Sequence, residues 1–345
     1  FLYTGNSTAR TFTDVGFQSD FVWIKDRNNA RDHMLFDAVR TATKDLRTNG
    51  TDIESTIADT LTAFTSNGFS LGTDATASSA LVNGNSNSYV SWNWKANGSG
   101  SSNSNGSITS TVSANTTSGF SIVKYNGSGS NATVGHGLGK PPKLIIVKNL
   151  QSTYEWVIGH KDLASGGTGF SANWYFNGFN NGARNQNATA SWNSTDPTND
   201  VFSLHGSATY MNASGQSNIA YCFAETKGFS KIGSYVPTSS TGDNSFIYCG
   251  FKPAWVLIKN STQSGDRPTI YDSVRDTSNP TYRRLFPDAS LVESDNTGAD
   301  IHLLSNGFKL RTDAGTTSTS TQTYVYVAFA EEPLVSSNGV PATAK

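Results

Sequence analysis

One feature limits this chain more than any other: it repeats itself three times at a spacing of about a domain. Four apolar residues closed by a lysine occur at Phe21–Lys25, Leu144–Lys148 and Trp255–Lys259, each flanked by turn residues. The lysines Lys25, Lys148 and Lys259 lie 123 and then 111 residues apart. Solenoid repeats span only about 20 to 50 residues. A spacing this long matches a complete small β domain used three times.

More than the lysine segment repeats. Each unit opens on a short strand with an aromatic residue, at Leu2-Tyr3, Ile122–Tyr125 and Ile232–Tyr235. Glycines precede each lysine strand, at Gly16, Gly137 and Gly250, where a tight turn needs positive φ. A polar turn after the lysine leads into a second apolar run, at His33–Asp37, Glu155–Gly159 and Thr269–Asp272. Units one and three then share an acid three residues ahead of an arginine, Asp37…Arg40 and Asp272…Arg275. The closing strands alternate in register: Val90, Trp92, Trp94; Ile219, Tyr221, Phe223; Val325, Val327, Phe329. A period of two places each set on one face, and the expectation is an antiparallel sheet with that face on a core.

Many short strands with frequent turns predict an all-β chain of tandem antiparallel β-sandwiches, jelly-roll or lectin-like, with little or no helix. The expected division is unit 1 at 1–96, a flexible Gly/Ser/Asn linker at 97–106, unit 2 at 107–227, unit 3 at 228–334 and a tail at 335–345. Ile53, Ile57, Leu61 and Phe64 have helical spacing, but Pro287 and Asp288 in the corresponding part of unit three favour a loop crossing the core.

Composition narrows the function. Only 15% of residues are charged and the formal net charge is −1, without a basic stretch. Solubility therefore rests on Ser, Thr, Asn and Gly, and a nucleic-acid partner held through phosphates is not expected. No stretch reaches the roughly 18 to 20 apolar residues of a membrane helix, so no membrane insertion is expected. The chain starts on Phe1 rather than Met, as a processed chain or the ordered part of a longer one would. Cys222 and Cys249 read as two buried free thiols, with a bridge between units as the alternative.

No catalytic constellation is expected. None of the five histidines has a second His or Cys at metal-ligand spacing, so no metal or cofactor is expected. The glycines at 135–139 precede Pro141-Pro142 and a strand, not the helix a phosphate loop requires. Asp37–Arg40 and Asp272–Arg275 read as strand-end ion pairs rather than glycosidase acids. The best ligand candidate is an aromatic cluster in unit two: Trp174, Tyr175 and Phe179 with Trp192, in a Gly/Asn-rich region longer than its counterparts. Exposed there, the rings would form a glycan platform; Trp174 and Phe176 alternate as core residues also would.

The motifs in sequence resemble a known module. Gly119–Tyr125 followed by Ala132–Asn149, and Lys231–Tyr235 followed by Phe251–Lys259, are similar to a repeated module of unknown function in virion structural proteins of marine tailed bacteriophages, especially cyanophages. The ending Tyr324–Glu331 with Ser337–Ala344 is similar to the close of such proteins. The resemblance implies a tail-fibre-like structural protein with lectin-like sandwiches and brings no catalytic residue. Unit one departs from it most, with Trp92 and Trp94 in its closing strand and no Lys-Pro before its lysine strand.

The function expected is therefore a virion protein, not an enzyme: a tail fibre or tail-associated appendage at the particle's outer, extracellular surface. Its partners would be other virion proteins, further copies of itself, most simply as a trimer, and a host cell-surface glycan. Avidity would add up weak sites. A capsid decoration or capsid fibre protein is the alternative, and a polysaccharide-degrading appendage enzyme the second alternative.

Overall fold

A computed structural model describes residues 1–76, 81–186, 191–238, 245–295, 297–312 and 315–330. The tail at 335–345 lies outside the described residues. The fold is of the β-sandwich class, with 39% of residues in strands and 4% helical. Each repeat forms one large antiparallel sheet built on its lysine strand, faced by a small sheet.

In the first unit the large-sheet order is Leu2–Thr4, Ser88–Trp94, Phe21–Asp26, Met34–Asp37, Lys44–Arg47, Ser55–Thr56. In the third it is Ser230–Tyr235, Tyr324–Phe329, Trp255–Asn260, Thr269–Asp272. The second unit repeats that core order with Phe120–Asn126, Ser217–Phe223, Leu144–Asn149 and Val157–His160. It then adds Ser101–Asn103 and Ser110–Asn115 on one edge, and Trp174–Asn177 and Asn185–Gln186 on the other. The small sheets are Arg10–Phe12, Gly68–Leu71, Leu61–Thr65; then Ala132–Gly135, Val201–Leu204; then Phe246–Tyr248, Gly307–Leu310, Ile301–Leu304.

Register makes the equivalences between units exact to the residue. Lys25 pairs with Val90, Lys148 with Ile219 and Lys259 with Val325. Phe21, Leu144 and Trp255 pair with Trp94, Phe223 and Phe329, and on their other side with Asp37, His160 and Asp272. Gly16, Gly137 and Gly250 all have positive φ, at 85°, 69° and 84°.

Each lysine closes the same turn. Asp26, Asn149 and Asn260, next in sequence, each accept two main-chain N–H bonds on Oδ1 from residues two and three further on, at 2.9 to 3.1 Å. The lysine Nζ donates to the carbonyl of that Asx residue and to one further turn carbonyl: Asp26 and Asn29, Asn149 and Ser152, Asn260 and Asp266. The side-chain carbonyl fixes the turn while the ammonium satisfies its buried carbonyls. All three ammonium groups are buried, and burial lowers each pKa to about 8 against the pull of nearby carboxylates.

The packing differs from a set of independent sandwiches. Val22 and Ile24, Ile145 and Val147, and Val256 and Ile258 face three private cores, one per unit. The opposite faces meet in one cluster that joins all three units: Phe21, Trp23, Trp92 and Trp94; Leu144, Ile146, Tyr221 and Phe223; Trp255, Val327 and Phe329. The large sheets are thus buried on both faces, not on one as the alternation implied. A run of four apolar residues, in place of strict alternation, is the signature of a doubly covered strand.

Two further expectations change. Residues 97–106 do not form a free linker: Ser101–Asn103 is an edge strand paired to Ser110–Val112, and the Asn97 and Gly98 amides bond to Ser113 Oγ and Asp20 Oδ1. The polar composition suits an edge as well as a tether. The stretch from Ile53 forms the short strand Ser55–Thr56 and part of Leu61–Thr65; Leu61 is buried in the private core of unit one, Ile57 and Phe64 pack against it, and Ile53 is exposed.

Candidate functional site

The shared core is closed by contacts that run once around the molecule. The main-chain carbonyl two residues beyond each lysine accepts from a loop of the preceding unit: Glu54 N–H to Leu150 O at 3.1 Å, Arg184 N–H to Ser261 O at 2.9 Å, and Glu293 N–H to Arg27 O at 2.7 Å. The third bond links unit three back to unit one, so the units form a ring with approximate three-fold symmetry.

A second set of contacts repeats in the opposite sense. Tyr221 Oη donates to Asp37 Oδ2 at 2.8 Å, and Trp92 Nε1 donates to Asp272 Oδ2 at 3.0 Å. At the third position His160 stands where the other units have aspartate, and its Nε2 lies 3.4 Å from Tyr326 O. His160 Nδ1 accepts from Asp162 N, so the Nε2–H tautomer donates to that carbonyl. Burial lowers the imidazole pKa to about 4, which keeps the ring neutral.

Asp37 and Asp272 are buried against Arg40 and Arg275, with Nε 2.5 Å from Oδ2 in both. Burial raises the Asp272 pKa, but the Arg275 charge and its bonds outweigh that and hold it below the usual carboxylate range. Each arginine also donates to a main-chain carbonyl, Leu35 O or Ile270 O, and meets a glutamate, Glu54 or Glu293. Glu293 reaches across the interface and binds Arg27 of unit one through both its carboxylate oxygens, at 2.7 and 2.9 Å. The repeat markers read from the sequence therefore sit at the joints of the ring. Sequence reasoning missed Glu54, Glu293 and Arg27; the available signal was a glutamate 14 and 18 residues past the arginine in units one and three.

The aromatic cluster of unit two is dispersed. Phe179 is buried in the shared core beside Trp23 and Trp156. Trp192 is buried in the private core of unit two against Phe170, its Nε1 donating to Trp174 O. Trp174 and Tyr175 are half-buried on opposite faces of their strand; Arg184 lies 4.5 Å above the Trp174 ring, and Tyr175 stacks on Tyr210. Among the described residues the exposed aromatic pair is Phe246 and Tyr248, 43% and 65% exposed on one face of an edge strand in unit three.

A cleft of about 670 Å³ lies between units one and three. Trp92, Trp94, Trp255, Phe229 and Phe329 line it with Phe17 and Val274, and Asp14, Asn93, Lys95, Asn115 and Asp272 supply polar groups. Rings beside several polar side chains suit a ligand with an apolar face and polar edges. At the centre of the ring is a void of only about 30 Å³, to which the equivalent residues Phe21, Leu144 and Trp255 all contribute.

A family model matches residues 1–333, across all three repeats. The chain belongs to that family, a domain of unknown function designated DUF7483. No curated protein and no solved structure matches it. In this DUF7483 chain, no group of three or more His, Cys, Asp or Glu side chains among the described residues could hold a metal ion. Cys222 and Cys249 are free and buried in two different private cores, and burial raises both thiol pKa values.

Proposed function

We propose that this protein is a structural component of a tailed-bacteriophage particle, a tail fibre or tail-associated appendage that meets the host envelope, with a surface glycan as its ligand. It acts by binding rather than by reaction, together with other virion proteins and as a homo-oligomer, a trimer being the simplest. The sequence resemblance to virion modules supports the phage origin. The observation that carries the mechanical part is the ring closure. Its recurring charged residues are spent on joining strands and units, which makes one rigid block with three outward sandwiches.

Antibodies to the chain, applied to intact particles, test this reading: labelled tails support it, and unlabelled particles overturn it. Purified protein added to host cells should compete with particle adsorption. On glycan arrays, Trp174→Ala and Tyr248→Ala separate the half-buried Trp174 region from the exposed edge strand of unit three as ligand faces. Sugar release from host envelope would replace the binding role with a degrading enzyme.

The approximate three-fold symmetry of a single chain favours a second reading, decoration of a capsid at three-fold positions. There each unit could offer a related surface to a symmetric partner. Label on heads instead of tails would select it.

A further inference from the structure

Units two and three differ in how each is joined to the unit before it. Residues 95–119 run from Trp94 to Phe120, whereas residues 224–229 alone run from Phe223 to Ser230. In unit two the longer stretch closes one side of the sandwich twice. Ser110–Asn115 pairs with the large-sheet strand Phe120–Asn126, and just before it Ile108 bridges in parallel to Val134 of the small sheet. Unit three has no such stretch between its neighbours. Its large-sheet edge is capped instead, the Ile232 N–H donating to Glu225 Oε1 at 3.0 Å. Its small-sheet edge, Phe246–Tyr248, has no strand or bridge on its outer side among the described residues.

Register settles what that edge offers. Ile247 pairs with Phe308 as Val134 pairs with Phe202, so Phe246 and Tyr248 stand where unit two has Thr133 and Gly135. Leu310 N–H donates to Ser245 O at 3.1 Å, and Cys249 N–H donates to Asn306 O at 2.9 Å. Ser245, Ile247 and Cys249 therefore turn their main-chain groups inward, and Phe246 and Tyr248 turn theirs outward. In unit two three of the same outward groups are taken. Ile108 N–H donates to Thr133 O at 3.0 Å, Thr133 N–H to Ser107 Oγ at 2.8 Å, and Ser110 Oγ to Gly135 O at 3.2 Å. From there Ile108 packs on the private core of unit two. Gly135 is buried, whereas Phe246 and Tyr248 are exposed.

We propose that Phe246–Tyr248 receives an extended segment of a partner polypeptide, running parallel to it as Ser107–Ser110 runs beside Ala132–Gly135. The filled copy in unit two defines its chemistry. The occupant carries a β-branched apolar residue whose N–H donates to Phe246 O and whose side chain covers the rim of the core beside Ile247. A hydroxyl residue just before it accepts from the Phe246 N–H, and a second, two residues after it, donates to Tyr248 O. The Phe246 ring lies back across Gly307, where a Cβ would stand 2.9 Å from its Cζ, so the ring leaves the edge itself uncovered. Strand addition supplies affinity through main-chain bonds and specificity through alternate side chains. The proposal does not rest on the function given above.

The test titrates a capped synthetic peptide copying Asn105–Thr111 into the full chain, following hydrogen exchange of the Phe246 and Tyr248 amides. Saturable binding is expected, with exchange slowed at both amides and unchanged at Thr133. A peptide N-methylated at the isoleucine should bind about ten-fold more weakly, since one main-chain bond is gone. Phe246→Pro removes the outward N–H while sparing the pairing with Gly307–Leu310, and should weaken binding to a similar extent. Absence of saturable binding or equal binding of the N-methylated peptide would overturn the proposal. So would Phe246 and Tyr248 amides that exchange as slowly as Thr133 in the chain alone, because another part of the chain would then already cover the edge.

Discussion

The joint between units one and two and the joint between units three and one are two versions of a single design. Both set an aromatic donor of one closing strand on a buried aspartate that already holds an arginine: Tyr221 on Asp37–Arg40, and Trp92 on Asp272–Arg275. The first is filled by Phe120, which lies on Phe223 and 5.8 Å from Phe21. The second has the Glu293–Arg27 clasp, which Glu54 cannot make because Leu150 replaces the arginine. The remaining joint, with neutral His160, uses neither carboxylate nor arginine at that position.

Removing one partner of a buried ion pair should have the largest effect. Asp272→Ala leaves Arg275 charged and dry, and should cost ~3–5 kcal/mol in denaturant unfolding. Asp37→Ala should do the same at the other joint, and a loss under about 1 kcal/mol at either site would break the parallel. Phe120→Ala should empty the apolar contact with Phe223 and Phe21 at the first joint, at a cost of ~3–5 kcal/mol in the same measurement.

Acid should act next, at the His160 joint. Its folded pKa is about 4, against about 6.5 in an unfolded chain. Between those values the unfolded state takes up a proton that the folded state refuses, so stability falls as pH drops through 6.5. The loss approaches ~3 kcal/mol near pH 4. His33, buried with Nδ1 accepting from Trp23 Nε1 and its pKa lowered first by burial, acts in the same direction. Denaturant midpoints at pH 7 and pH 4.5 should converge in His160→Gln relative to the parent. An unchanged difference would remove His160 as its source.

Tyr221→Phe should be the smallest change, about 1 kcal/mol, because Asp37 keeps Arg40 when the hydroxyl is lost. A much larger cost would show that the aromatic donor, and not the arginine, holds the aspartate.

How much of this could be read in advance depended on whether the signal was local. Lys25, Lys148 and Lys259 stand at equivalent register positions, and Asp37–Arg40 and Asp272–Arg275 are ion pairs, because turns and i,i+3 contacts are written in neighbouring residues. The ring was hidden because it depends on which neighbour covers the second face of each large sheet. The runs FVWI, LIIV and WVLI stated only that something would. Phe179 and Trp192 fell in separate cores for the same reason: an aromatic cluster in sequence does not say which side of a sheet each ring will take. The cleft depended on strand register at Trp92–Trp94, and the two tryptophans there were visible only as a departure from the other units.

A shared core has a thermodynamic consequence for anyone who dissects this protein. If one sandwich lets go, it wets the inner flanks of both neighbours, so loosening should spread around the circle and the chain should melt in one event instead of three. A single repeat expressed alone would carry a large greasy flank into water, and the smallest piece expected to stay soluble is the whole circle.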